Sequence, residues 1–217
     1  MAKIVFISDT HGAHKKLTNL PDGDVICHTG DYSARGDIYD LRQFMKWFSA
    51  LTQYKARIFI SGNHDIFASE SPELMKDIVP DNVTYLFDSE VIVDGIKFYG
   101  TPWQPIFLDW AFNITEAEQI EKYALIPKDT DVLLTHCPPF GVLDLAPAWR
   151  HRPAEHVGSK ALRDRILEVE PLVNAFGHIH EGYGDISLYN NITFINGSVL
   201  NGWYKLVNDP IISYVVK

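Results

Sequence analysis

Short unbroken apolar runs alternate along this chain with stretches of helical spacing. Lys3–Ile7, Val25–His28, Arg57–Ser61, Asp131–Thr135 and Leu172–Phe176 read as strands, and the continuous apolar character of Lys3–Ile7 is that expected in a sheet covered on both faces. Apolar residues at Ile38, Leu41, Phe44, Met45, Phe48 and Leu51 fall on one face of a 3.6-residue period and predict a helix behind Asp37 as N-cap. Shorter helices are predicted over Lys15–Leu20, Glu73–Ile78, Glu116–Leu125 and Lys160–Val169. Glu90–Tyr99 reads as a hairpin turning at Asp94-Gly95. Asp185–Leu188, Ile192–Ile195 and Ile211–Val215 read as closing antiparallel strands. Thr101–Asn113 holds Trp103, Phe107, Trp110 and Phe112 with Pro102 and Pro105, and reads as a loop that packs its own side chains. Pro138–Gly158 is the most irregular stretch and reads as a surface excursion. With no repeat or linker, one α/β domain over residues 1–217 is the simplest account.

Composition narrows the class. Apolar content of 46% and charged content of 22% are those of a water-soluble globular chain. No apolar run approaches the ~20 residues of a membrane span, and Ile4–Ile7 is too short for the core of a signal peptide. A cytoplasmic protein with no membrane partner is therefore expected, and Cys27 and Cys137 fit it as reduced core thiols. Nineteen basic against 28 acidic residues leave a net charge of −9, which argues against extended nucleic acid as a partner. It does not argue against a small phosphate ester, because bound metal reverses the local charge.

The chemistry lies where the strands stop. Five strand ends carry Asp9 and His11, Asp31, Asn63 and His64, His136, and His178 and His180. Ligands of open α/β sheets bind at the carboxyl ends of strands. Both Asp9-x-His11 and His178-x-His180 have i, i+2 spacing, which in extended chain sends the two side chains to the same side. Oxygen and imidazole donors without a thiolate suit Mn, Fe, Zn or Ni better than Ca or Mg. Asp9, His11, Asp31, Asn63, His136, His178 and His180 are too many for one tetrahedral ion and about right for two ions with a shared carboxylate. Two divalent ions (+4) against Asp9 and Asp31 (−2) leave +2, or +1 with a bridging hydroxide, and such a site attracts a phosphate ester.

Asp9-x-His11, Gly30-Asp31, Gly62-Asn63-His64-Asp65, His136 and Gly177-His178-x-His180 resemble, in order, the full motif series of the calcineurin-like metallophosphoesterases. Gly177–Gly184 and Pro102-Trp103-Gln104-Pro105 look most like the small brain-associated subgroup and its microbial relatives. The resemblance implies a four-layer α-β-β-α sandwich of two mixed sheets flanked by helices, and a hydrolase of phosphoric esters. It also implies two divalent transition-metal ions, Mn first, with Fe, Zn, Ni or Co as the others. One ion would take Asp9, His11, Asp31 and His180, and the other Asp31, Asn63, His136 and His178. A hydroxide shared by the ions would attack phosphorus in line. His64 is implied as the catalytic acid at the leaving oxygen.

One position departs from the pattern. Protein phosphatases of this family continue the second motif as Gly-Asp-x-x-Asp-Arg-Gly, where the second Asp orients the catalytic histidine. Here Ala34 occupies that position beside Arg35, so His64 must be fixed by Asp37, by a backbone carbonyl, or less firmly. The departure favours a small phosphodiester, a cyclic nucleotide or nucleotide derivative, over a protein substrate. A phosphomonoesterase of the same fold is the alternative, and a non-catalytic scaffold would be expected to have lost ligands that this chain keeps. His14, His28, His151 and His156 match no motif and read as structural or surface residues. Cys137 reads as a buried hydrophobe, Asp65 as a supporting acceptor, and the aromatic loop as packing rather than a wall for a stacked base.

Overall fold

The computed structural model describes residues 1–148, 153–189 and 191–217. Two sheets form its centre. The first runs in the order Ile211–Val215, Ala2–Ile7, Val25–Thr29, Ala56–Ile60 and Thr84–Tyr85, parallel except for the antiparallel Ile211–Val215 edge. The second runs Gly184–Leu188, Ile192–Asn196, Val173–Phe176, Val132–Thr135, Ile96–Thr101 and Ser89–Val93, with four parallel strands between two antiparallel edges.

The period of two along each strand sorts its residues into two cores. Ile4, Phe6, Cys27, Ile58 and Ile60 of the first sheet pack against Phe98, Val132, Leu134, Ala175 and Ile195 of the second. The alternate residues Val5, Ile7, Ile26 and Phe59 face the helix Ile38–Ser49 through Leu41, Phe44, Met45 and Phe48. On the opposite outer face Tyr99, Leu133 and Phe194 meet Tyr123 of the helix Glu116–Tyr123, with Leu162 and Ile166 of the helix Lys160–Val169. The result is the four-layer α-β-β-α sandwich. Because each central strand is covered on both sides, its residues are buried on both faces and its run is mostly apolar rather than alternating.

Local signals account for most boundaries. The Asp37 carboxylate accepts the Asp40 N–H at 2.9 Å as N-cap, and Thr115 with Glu118 forms a reciprocal capping box. Asp94 and Gly95 turn the hairpin with φ of 50° and 80°. The aromatic loop is closed at its neck, where Gln104–Pro105 pairs with Asn113–Ile114.

Several expectations need correction. Lys15–Leu20 is no helix: only a 3-10 turn over His14–Lys16 forms, since Thr18 and Asn19 are weak helix formers and Pro21 disfavours the helical conformation just before it. Ile66–Glu70 is an unpredicted helix, too short to display a period. The tail strands do not close together: Ile192–Asn196 runs parallel to Val173–Phe176, whereas Ile211–Val215 crosses to the other sheet. Apolar patterning identifies a strand but not its neighbour. The Pro138–Gly158 excursion carries a two-residue pairing of Leu145–Ala146 with Glu155–His156, and His151 lies outside the described residues.

Parallel pairing brings the carboxyl ends of the central strands to one edge, and there the sheets join. Ser8 N–H donates to Gly197 O at 2.8 Å, and Val199 N–H donates to Ser8 O at 3.1 Å.

Candidate metal centre

Four of the predicted ligand residues sit in left-handed backbone: Asp9, His11, Asp31 and His178 have φ of 52°, 39°, 57° and 67°. Each such non-glycine residue costs about 1–3 kcal/mol and persists only where its surroundings hold it. They do so here. Asp9 N–H donates to Gly30 O at 3.0 Å and His11 N–H to Asp31 O at 2.9 Å. The His178 N–H lies 3.1 and 3.0 Å from the two Asp9 oxygens. The buried Asp65 carboxylate accepts N–H groups of Asp31 (2.9 Å), Ser33 (2.9 Å) and Gly62 (2.7 Å). Two glycines are required by space: a Cβ at Gly62 would strike the Asp31 carboxylate and the His136 ring, and one at Gly177 the Asp9 carboxylate and Ser8 hydroxyl.

The side chains form two groups that meet at Asp31. In the first, His11 Nε2 lies 3.3 Å from His180 Nε2, 3.9 Å from Asp9 Oδ1 and 3.6 Å from Asp31 Oδ2, while His180 Nε2 lies 3.3 Å from Asp9 Oδ1. In the second, Asn63 Oδ1 lies 3.0 Å from His136 Nε2 and 2.7 Å from His178 Nδ1, and His136 Nε2 lies 3.4 Å from Asp31 Oδ1. All seven predicted ligand positions are therefore brought to one place.

The donor chemistry fits divalent transition metals. The Nδ1–H of His136 donates to Thr29 O at 2.9 Å and that of His180 to Asn201 O at 3.0 Å, which turns both Nε2 atoms toward the carboxylates. His11 Nε2 and His180 Nε2, 3.3 Å apart, cannot both carry protons. Groups of three donors that could hold an ion are Asp9, His11 and His180; His11, Asp31 and His64; and Asp9, Asp31 and His136.

Protonation reflects the same crowding. Burial alone would lower His136 and His180, but Asp31 for the first and Asp9 for the second raise them to about 9. Burial pulls His11 down to about 4 and His178 to about 3 against the same carboxylates. Burial opposes ionisation of Asp9 and Asp31 too, yet the histidines hold both carboxyls below the usual carboxylate range. Asp65 is pushed up by burial and by Asp31, against the N–H groups it accepts.

His64 stands at the mouth. Its N–H donates to Asp31 Oδ1 at 2.8 Å, and among the described residues no side chain hydrogen-bonds its ring. Asp37 is occupied as a helix cap, and Arg35 is exposed with its N–H on Asp40. Instead, the Trp110 indole stacks on the His64 ring at 4.1 Å between centroids and 28° between planes. Tyr204 sits edge-on to His11 at 4.9 Å, and Phe107 edge-on to His178 at 6.0 Å. Both are partly open, at 56% and 48% exposure.

The sequence reading missed four of these partners. Ser198 donates to Asp9 Oδ2 at 2.8 Å from a further strand end, Asn196-Gly197-Ser198, whose turn residues were its only signal. Trp110, Tyr204 and Asn201 come from loops without periodicity. The unmatched histidines are structural: His28 bonds Thr10 Oγ1 at 3.0 Å, His14 packs against Phe44 and Trp47, and His156 bonds Asp144. Cys137 is buried and unpaired.

Residues 2–182 match the calcineurin-like phosphoesterase family. The chain is 35% identical over 236 aligned residues to human metallophosphoesterase domain-containing protein 1, covering 97% of this chain and 70% of that one. It is 33% identical to the UPF0046 protein K07C11.7 of Caenorhabditis elegans, covering 99% of this chain and 76% of that one. A solved structure at 17% identity superposes over 90% of both chains with a TM-score of 0.62, a likeness of fold alone.

Proposed function

The chain belongs to the calcineurin-like phosphoesterase family, and we propose that it hydrolyses a small phosphodiester, a cyclic nucleotide or nucleotide derivative, with two divalent transition-metal ions. The observation that carries the reading is the division of one carboxylate. Asp31 Oδ2 faces His11 at 3.6 Å and Asp31 Oδ1 faces His136 at 3.4 Å, as a ligand serving two neighbouring ions would. Asp9, His11, Asp31 and His180 would hold one ion, and Asp31, Asn63, His136 and His178 the other. A set of carboxylate, amide and imidazole donors suits Mn, Fe, Zn or Ni, and the family resemblance puts Mn first. When bound, such ions supply Lewis acidity toward phosphoryl oxygens and acidify water.

The chain's own groups have separate tasks in this reading. A ring N–H of His64 gives its proton to the leaving oxygen, which matters most for an ester whose alkoxide is a poor leaving group. Asp65 and Ser198 hold the Asp31 backbone and the Asp9 carboxylate. Tyr204 beside His11 and Phe107 beside His178 leave partly exposed ring surface next to the predicted ligands, which supports a planar group on the substrate. The two unpaired, buried cysteines support a cytoplasmic setting, and among the described residues no helix is long and apolar enough to cross a membrane.

The test is a Mn-supplemented assay of matched chromogenic mono- and diesters, followed by cyclic nucleotides. The proposal expects the diester to be preferred and a cyclic nucleotide to be opened. Preference for the monoester would move the assignment to a phosphomonoesterase, and absence of both activities with metals bound would make the chain a scaffold.

A further inference from the structure

We infer that Trp110 is the positioning residue of His64, an aromatic clamp in the role for which related phosphatases use a carboxylate. The inference rests on the reading of His64 as the leaving-group acid. Position 34, where the orienting Asp would stand, is Ala, and no side chain among the described residues hydrogen-bonds the His64 ring. The ring is instead enclosed by other rings. Trp110 covers one face at 4.1 Å, and His11 meets it edge-on at 4.6 Å and 89°. An imidazole whose ring has no hydrogen-bond partner keeps its choice of staggered χ1 wells and a broad χ2; an indole against its face narrows both.

The loop that carries Trp110 is built to hold that pose. The next residue, Ala111, donates its N–H to Asn63 O at 3.2 Å, fastening the loop to the residue before His64. Phe112 follows, 4% exposed in the core between the first sheet and its helix, in a left-handed backbone of φ 58°. Asn113 cross-links the loop interior: its Oδ1 accepts Gln104 Nε2 at 2.9 Å, and its Nδ2 donates to Phe107 O and Leu108 O at 3.2 and 3.1 Å. Trp110 is therefore presented by a rigid loop tied at three points. Its indole N–H is not needed for the stack, so Phe should substitute in part and Leu should not.

The experiment combines ring resonances with a double-mutant cycle on the full chain loaded with diamagnetic zinc. In the wild type the His64 carbon-bound ring protons are expected upfield, shielded by the indole stacked at 4.1 Å. Trp110→Leu is expected to move them downfield with two zinc ions retained, and Trp110→Phe to leave them at intermediate shifts. Hydrolysis of an alkyl ester should fall by about 10- to 100-fold in Trp110→Leu, recover largely in Trp110→Phe, and fall no further when Trp110→Leu is added to His64→Ala. His64 resonances that do not move in either variant overturn the inference, as does an equal loss from Trp110→Leu in the His64→Ala background. If the resonances move but His64→Ala alone leaves turnover intact, the clamp stands and the acid role of His64 falls. If Trp110→Leu does not fold, the Trp110→Phe shifts decide alone.

Discussion

The carboxylate of Asp65 accepts the backbone N–H of Asp31 at 2.9 Å, so that one acid, not itself a predicted ligand, fixes another at the meeting point of the site. The same Asp65 oxygen accepts Gly62 N–H at 2.7 Å and its other oxygen Ser33 N–H at 2.9 Å. Two strand ends are thereby locked together, and the left-handed backbone of Asp31 is held by its neighbour rather than by its own preference.

Asp65→Asn should therefore loosen the site without removing a ligand. An amide offers one acceptor oxygen, so its NH2 would face an N–H donor, at a cost of about 1–3 kcal/mol for the unsatisfied group. Metal affinity should drop by about 10- to 100-fold, as for other supporting partners of ligands. Calorimetric titration with Mn or Zn measures it, and unchanged affinity would remove Asp65 from this role.

A second expectation concerns acid. His28 is fully buried against Phe44, accepts the Gly30 N–H at Nδ1 (3.3 Å) and donates Nε2–H to Thr10 Oγ1, so it is held neutral. Burial lowers it to about 3. The unfolded chain binds this proton near pH 6.5 and the folded chain does not. Stability contributed by the neutral ring is thus complete above that pH and is lost as pH falls toward 3, by up to about 1.4 kcal/mol per pH unit. Denaturant midpoints of metal-free protein between pH 6.5 and 4 should show this slope, and His28→Gln should flatten it by one proton. An identical slope in the variant would refute the assignment.

His64→Ala is predicted to reduce turnover of a poorly activated ester by about 10²–10⁴ while leaving metal content near normal. The metal site is spared because the bond to Asp31 Oδ1 comes from the His64 backbone, which alanine keeps. Elemental analysis beside the rate measurement checks both halves. Full turnover in the variant would exclude His64 as the acid.

Where the sequence was informative, it was so for local reasons. An apolar run that stops at Ser-Asp, Gly-Asp or Gly-Asn-His marks a strand end within a few residues, and for this reason Asp9, Asp31 and Asn63 could be picked out. The sandwich followed from the family motifs rather than from the apolar pattern, which does not encode strand order; Ile211–Val215 beside Ala2–Ile7 shows it. Ser198 was overlooked because Asn-Gly-Ser is ordinary turn chemistry. Trp110 was overlooked because its contact with His64 depends on how a distant loop folds back, and Ala34 showed only that an orienting group was missing.

The central claim is that Asp31 serves two ions at once, and counting metal tests it most directly. Protein stripped with chelator, reloaded with Mn and freed of excess should hold two ions per chain, and Asp31→Ala should hold none or lose the ordered site. A wild-type stoichiometry of one, or two ions retained with activity in Asp31→Ala, would contradict it.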